Sequence, residues 1–187
     1  MSLIIKTFSL IAILFCCGWN ALPQSIEILQ NQYANDPCGD PRVESSAWTG
    51  VAGEIVKVID GDTIIMSLSK KKRLLVHLVG IDAPALNQPF GNDAQQFLER
   101  IVSGKKVEVW VNPSNWIFKR RRPKEITGVV YLRSADMQDV NLSLVRAGMV
   151  RHKESQPYTM SNYTECRYEN AEEEARAAKR GLWQVPP

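Results

Sequence analysis

No apolar run in the 187 residues is long enough to cross a bilayer. The longest candidate, Phe8 to Cys17, is short and follows a single cation, Lys6. That pattern suits a targeting segment over residues 1–21, with cleavage after Gly18 or Ala21. A lipoprotein alternative would need small residues before Cys16, where Leu14 and Phe15 stand. Retention of the segment as a membrane anchor is a further alternative. The chain also has no internal repeat and no low-complexity tract, which excludes a solenoid or a fibrous array. Residues 22–50 lack any sustained period and read as an N-terminal extension, not a second domain. Charge of one sign is scarce too. A formal net charge of +3 gives little general attraction for a polyanion.

Cysteine is rare, and its placement is informative. Cys16 and Cys17 fall in the leader, which leaves Cys38 and Cys166 as an even pair in an exported chain. An oxidising compartment favours their pairing as a disulfide. Closing so long a loop would contribute about 2–4 kcal/mol; two unrelated thiols are the alternative.

A hydrophobic fraction of 44% supports a real core. Strands are expected at Glu54 to Ile59, Thr63 to Leu68, Arg73 to Ile81, Lys106 to Val111 and Ile126 to Leu132. A Ser69–Lys72 turn joins the second and third. Asn92 to Ser103 reads as a helix capped by Asn92 and stopped by Gly104, with Phe97, Leu98, Ile101 and Val102 as its apolar stripe. Asp139 to Ala147 is a short helix ended by Gly148. Thr164 to Arg180 is a longer one, capped by Thr164, with Ala171, Ala175 and Ala178 as its small apolar face. Leu182 and Trp183 are expected to dock the tail. The pattern is α+β: five strands closing into a small barrel with about three helices, over residues 51–187.

Two strand exits carry the chemistry. Val58-Ile59-Asp60-Gly61-Asp62-Thr63 leaves the first strand, and Gly80-Ile81-Asp82-Ala83-Pro84 follows 20 residues later. If they meet, Asp60, Asp62 and Asp82 make an oxygen-rich pocket for a hard cation. An ordinary hairpin turn would use the same Asp-Gly-Asp-Thr. Downstream, Lys119, Arg120, Arg121, Arg122 and Lys124 cluster after Trp116 and Phe118, a composition suited to a phosphate backbone with stacked bases, or to a solvated loop or processing site.

The order of these motifs, with Gly91-Asn92-Asp93-Ala94 and Val140-Asn141-Leu142-Ser143-Leu144-Val145-Arg146-Ala147-Gly148 behind them and Arg180-Gly181-Leu182-Trp183 at the end, resembles the staphylococcal nuclease (thermonuclease) family. The resemblance spans about residues 51–185. It implies an OB-type barrel and Ca²⁺-dependent hydrolysis of DNA or RNA. It also assigns the metal to Asp62 and Asp82, with Asp60 nearby and the backbone carbonyl of Ala83.

Three positions depart from the family pattern. His77 stands where active relatives carry a phosphate-clamping arginine; it lacks the bidentate fork and is only partly charged near neutrality. Ala85 replaces the glutamate that positions the attacking water. Glu125 falls in the slot of a second arginine, while a one-residue shift would bring Lys124 there instead. His77 reads either as a packed strand residue or as a nitrogen ligand favouring a transition metal. His152, Tyr158 and Tyr163 lie where relatives carry base-contacting tyrosines; the loop here is longer, and they read as exposed loop residues. The expectation is an exported, secreted or periplasmic, nuclease-like domain that binds nucleic acid, with catalysis impaired or lost and Ca²⁺ held weakly or not at all. The alternatives are an enzyme rebuilt around His77 and Arg120–Arg122, and a non-catalytic protein-binding or structural module. Oligomeric state is not legible.

Overall fold

The computed structural model describes residues 36–39, 48–112, 124–154 and 160–184. The chain divides into two units, 1–39 and 40–187. Of the first, the described stretch is a turn, in which the Gly39 N–H donates to the Asp36 carbonyl at 2.9 Å and the Cys38 N–H to Asp36 Oδ1 at 2.9 Å.

Among the described residues the second unit is a closed five-stranded barrel with three helices. Its strands are β1 (Thr49–Val58), β2 (Thr63–Ser69), β3 (Lys72–Leu78), β5 (Lys106–Val111) and β6 (Glu125–Leu132), in the order β1-β2-β3-β6-β5 with β5 returning to β1. Every pairing is antiparallel except β3 with β6. Strand alternation fills the interior: Ile64, Met66, Leu74, Val76, Val107, Val109, Val111 and Val130 are all essentially inaccessible. Complete closure removes the sheet edges that would otherwise invite pairing with another chain.

Several boundaries differ from the expectation. β1 begins at Thr49, inside the stretch assigned to the extension, because residues 49–54 find antiparallel partners on β5. The single strand expected from Arg73 to Ile81 breaks at Val79 and Gly80. A separate short strand β4 (Ile81–Asp82) then pairs with β7 (Arg151–His152). The break is physical: Gly80 has φ +74, and a Cβ there would lie 2.6 Å from the Met160 methyl.

Helix α1 (Gly91–Val102) is not capped by Asn92; its N-cap is Phe90, at φ 65, with no side-chain cap. Helix α2 (Val140–Arg146) has Asp139 at its N-cap, accepting from the Leu142 N–H at 2.9 Å. Helix α3 (Asn162–Ala177) starts earlier than expected, because Ser161, not Thr164, provides the cap by accepting from the Thr164 N–H. Its buried face is Tyr168, Ala171 and Ala175, while Ala178 is exposed.

Two polar side chains tie the helices to the barrel. Asn141 is wholly buried on α2. Its Oδ1 accepts from the Val130 N–H at 3.1 Å and its Nδ2 donates to the Val79 carbonyl at 2.9 Å. Tyr168 is wholly buried on α3 and donates to the Asp139 carboxylate at 3.1 Å. The 3₁₀ turn Gly181–Gln184 then returns to α2 through the Leu182 N–H and the Gly148 carbonyl. Trp183 lies under the Arg176 guanidinium, 4.2 Å from the ring centre. Among the described residues no helix is long and apolar enough to cross a membrane.

Candidate active site

The two strand-exit motifs meet. The connection from β1 to β2 is a tight turn in which the Ile59 N–H reaches the Thr63 carbonyl and the Asp62 N–H reaches Asp60 Oδ1 at 3.1 Å. Asp62 Oδ2 accepts from the Ala83 N–H at 2.9 Å, which bonds the first motif to the second. Gly61 makes the approach possible, since a Cβ there would stand 2.7 Å from the Cβ atoms of both Ala83 and Ala94. Small residues at 61, 83 and 94 thus bring turn, strand end and helix α1 to one point.

Burial pushes the Asp62 carboxyl above the usual carboxylate range. The Ala83 N–H and the Thr63 hydroxyl act against that, and the Asp60 charge adds to it. The pair Asp60–Asp62 is therefore a concentration of negative charge that a cation would relieve. Asp82 sits on β4 with an exposed carboxylate, 3.6 Å from Lys153 Nζ. Among the described residues no three His, Cys, Asp or Glu side chains gather as a ready-made metal cluster. Asp60 and Asp62 share one turn, and Asp62 is bonded to the backbone beside Asp82; carboxylate oxygens of this kind are chemically suited to a hard cation.

His77 points outward from β3, with 38% of its side chain exposed. It faces Thr63 across β2 and Thr127 across β6. Its Nε2 lies 2.8 Å from Glu125 Oε1, and its Nδ1 lies 3.3 Å from Thr63 Oγ1. Thr63 Oγ1 in turn donates to Asp62 Oδ1 at 3.0 Å. Asp62, Thr63, His77 and Glu125 form one polar chain across three strands. The hydroxyl has one proton to give, and it goes to Asp62. Both ring nitrogens of His77 are thereby held, one by Thr63 and one by Glu125.

The substituted positions can now be placed. His77 and Glu125 contact each other directly. Ala85 is exposed and its N–H donates to Gln88 Oε1 at 3.0 Å; it presents only a methyl group. Lys124 is exposed at the foot of β6, with its carbonyl accepting from the Leu75 N–H. Lys119, Arg120, Arg121 and Arg122 lie outside the described residues. So does Tyr158. His152, expected in an exposed loop, instead belongs to β7 and is largely covered. Its Nε2 is 2.7 Å from Glu165 and its N–H donates to Glu172 at 2.9 Å, contacts supplied by α3. Tyr163 is on α3, beneath the Arg167 guanidinium. Cys38 and Cys166 are both disulfide-bonded.

Two participants escaped the reading of the sequence. Thr63 ends the acidic motif and opens a strand in the sequence reading, yet it also links Asp62 to His77. A turn at Lys70 and Lys71 alone would set Thr63 opposite Leu78; an irregularity between Ser67 and Ser69 shifts the register by one and brings Thr63 opposite His77, which no local signal announces. Lys153 had no signal at all, because its proximity to Asp82 depends on the short β4–β7 pairing.

The sequence profile described as "Staphylococcal nuclease homologue" matches residues 75–185. An "Uncharacterized endonuclease" of Escherichia coli is 36% identical over 141 residues, covering 73% of this chain and 82% of that protein. A "Micrococcal nuclease" of Shigella flexneri is 32% identical over 153 residues, covering 77% and 80% respectively. A "Thermonuclease" of Staphylococcus hyicus is 28% identical over 137 residues, covering 70% and 74%. The barrel, the joined Asp60–Asp62 and Asp82 motifs and these likenesses together make the chain a member of the staphylococcal nuclease family.

Proposed function

We propose that this chain is an exported nuclease-family domain that binds DNA or RNA and hydrolyses phosphodiester bonds poorly or not at all. The observation that carries the reading is the 2.8 Å contact between His77 and Glu125. Where active relatives would set two arginines on the scissile phosphate, this barrel sets an imidazole and a carboxylate against each other. A phosphate entering there meets a partly neutralised imidazole and a repelling carboxylate. Ala85 adds no group to orient a water. Transition-state charge stabilisation and water activation are the two largest contributions such a site makes, and both are weakened.

A divalent cation held by Asp60, Asp62 and Asp82 would polarise the phosphoryl oxygen. The chain's own residues would hold the turn, keep Asp62 ionised through the Ala83 and Thr63 donors, and fix the ring of His77. Ca²⁺ is the ion the resemblance implies, bound weakly because few ligands converge. The Lys119–Lys124 run supports nucleic-acid contact by charge. Residues 1–21 serve as the signal segment, the stretch from 22 up to β1 as an extension, and the chain from Thr49 onward as the domain. Export to the periplasm or exterior is supported by the disulfide-bonded Cys38 and Cys166, which we take to be bonded to each other. A linked 38–166 peptide pair in a non-reduced digest is expected, and linkage of either cysteine elsewhere would refute it.

One observation favours a second reading, an enzyme rebuilt around His77. Both ring nitrogens are held, so the imidazole is oriented as a working group would be. Purified protein incubated with DNA and with RNA, with Ca²⁺, Mn²⁺ or chelator, separates the two. Negligible cleavage together with salt-sensitive binding is expected. Robust metal-dependent cleavage abolished by His77→Ala would establish the rebuilt enzyme instead.

A further inference from the structure

The hairpin that joins β2 to β3 takes no part in the site described above. Its turn and the start of β3 carry four successive cations, Lys70, Lys71, Lys72 and Arg73. Lys70, Lys71 and Arg73 are exposed, and Lys72 is half-buried. Among the described residues none of the four forms an ion pair. By register the carboxylates closest to them are Glu54 on β1, level with Ser67, and Glu125 on β6, level with Leu75. Glu54 also has Lys106 of β5 on its other side. Four like charges on one turn repel each other, and a chain of phosphates relieves that repulsion.

Register fixes where this cluster lies. Three cross-strand pairs share the outward side of β2 and β3: Thr63 with His77, Ile65 with Leu75, and Ser67 with Arg73. They alternate with Ile64, Met66, Leu74 and Val76, which fill the interior. His77 and Arg73 therefore project from the same side of the same strand, about 13 Å apart at roughly 3.3 Å per residue. Between them the pair Ile65–Leu75 is half-buried and uncharged, with the exposed Lys57 of β1 beside Ile65. In OB-type barrels the face of the second and third strands, with the loop between the first two, receives oligonucleotides. Here those strands are β2 and β3. The Asp60–Asp62 turn closes one end of that face, and the cationic hairpin closes the other.

From this geometry we infer that the β2–β3 hairpin is a second phosphate-contacting element: a single strand lying against the His77–Glu125 site runs along β3, and Arg73, Lys70 and Lys71 hold its backbone at the far end. The inference rests on the nucleic-acid-binding reading above and adds to it a surface outside the acidic site. Contacts of this kind carry no base preference, so the hairpin supplies affinity and direction, not sequence choice. At about 3.4 Å of rise per nucleotide the span from His77 to Arg73 takes about four nucleotides. That lies within the footprint of about 4–16 nucleotides usual for a barrel of this type.

The test uses full-length protein in chelator and a fluorescein-labelled oligodeoxythymidylate, followed by anisotropy across a salt series. The hairpin variant is Lys70→Gln/Lys71→Gln/Arg73→Gln. A control variant, Arg100→Gln/Arg146→Gln/Lys179→Gln, removes the same charge from exposed positions on or beside the helices. The hairpin variant should bind about 10- to 100-fold more weakly than the parent at low salt, and its log–log salt slope should be shallower by about 2, at about 0.7 per phosphate contact on a single strand. The control should keep the parent's slope. Equal losses in the two variants, or no loss in the hairpin variant, would overturn the hairpin's role while leaving nucleic-acid binding intact. A parent that binds no strand, DNA or RNA, would overturn both readings. Hairpin-dependent binding to phosphatidylglycerol vesicles without binding to the thymidylate would assign the cluster to a lipid surface and overturn the inference as well. Matching far-ultraviolet circular dichroism and Tm for the parent and both variants confirm that the comparison is made on folded protein.

Discussion

His77 Nε2 stands 2.8 Å from Glu125 Oε1, which joins β3 to the parallel strand β6 through side chains as well as backbone. Both groups are substantially exposed, so the pair adds little stability. Its consequence is electrostatic: the carboxylate sets a negative charge against the imidazole at the position where the resemblance implies a phosphate clamp. Glu125→Gln should raise affinity for single-stranded DNA at low salt about fivefold, the effect of roughly 1 kcal/mol between charges at contact in water. The gain should fade as salt is added. Anisotropy titrations of the parent, Glu125→Gln and His77→Ala/Glu125→Gln would check it, and the double variant should lose the part that His77 provides. An unchanged affinity in Glu125→Gln would show that phosphate does not approach this face.

Asp62 gives a prediction with a definite sign. Its folded-state pKa is raised by burial and by Asp60. The folded protein therefore holds that proton more tightly than the unfolded chain, and the contribution is stabilising below the unfolded value of 3.8. It is lost as pH rises through the folded value, so at neutral pH the ionised Asp62 works against folding. Asp62→Asn should raise Tm at pH 7 without metal, and the advantage should vanish when melting is measured below pH 3.8. The same variant should abolish any rise in Tm with millimolar Ca²⁺, because ligand binding stabilises only the form that binds. A parent Tm indifferent to Ca²⁺ would refute the metal reading, and a lower Tm for Asp62→Asn would mean that the Ala83 and Thr63 hydrogen bonds outweigh the burial.

Asn141 should be among the least replaceable side chains in the domain. It serves the Val130 N–H and the Val79 carbonyl at once, both in the interior. Asn141→Ala leaves two buried backbone groups without partners, each worth about 1–3 kcal/mol. A loss of about 2–5 kcal/mol is expected by urea denaturation, with an unchanged m-value. Asn141→Leu should be no better, since volume cannot supply a donor and an acceptor. A loss below about 1 kcal/mol would show that water or a backbone shift takes over both bonds.

The division between what the sequence discloses and what it hides follows the range of the interactions. The strands β2 and β5, the short helix α2 and the two acidic motifs are legible because alternation, turn residues and motif order are local signals. Asp139 could be placed at the start of α2 for the same reason. The cap of α1 was misread because Phe90 adopts a left-handed conformation that favours glycine, and no side-chain rule marks it. Tyr168 was passed over because the two tyrosines of α3, Tyr163 and Tyr168, are five residues apart and make no stripe; the partner of its hydroxyl, Asp139, comes from another element. The His77–Glu125 contact needed the parallel pairing of strands separated by α1 and β5. No periodicity announces that pairing, although aligning the family motif had marked both residues separately.

The last prediction concerns what would return cleavage to this barrel. His77→Arg alone should do little, because an arginine on β3 would find Glu125 already in place and form a bidentate pair with it. Removal of that carboxylate has to come first. His77→Arg with Glu125→Arg should therefore exceed either single change by more than their product. One recovered charge-stabilising donor is worth about 10²–10³-fold. Adding Ala85→Glu, at an exposed position with room for the longer side chain, should add a water-orienting group worth about 10²–10⁴-fold. Groups acting on one transition state do not contribute independently, so the triple variant should fall short of the full product. Measured as kcat/KM on single-stranded DNA with Ca²⁺, the expected order is the parent and His77→Arg lowest, the double variant above them and the triple variant highest. Addition of Asp62→Asn should return the triple variant to the parent's level. If His77→Arg alone matched the triple variant, Glu125 would not be the obstacle that its 2.8 Å contact implies. If the folded triple variant gained nothing, the loss of activity would lie elsewhere than at these three positions.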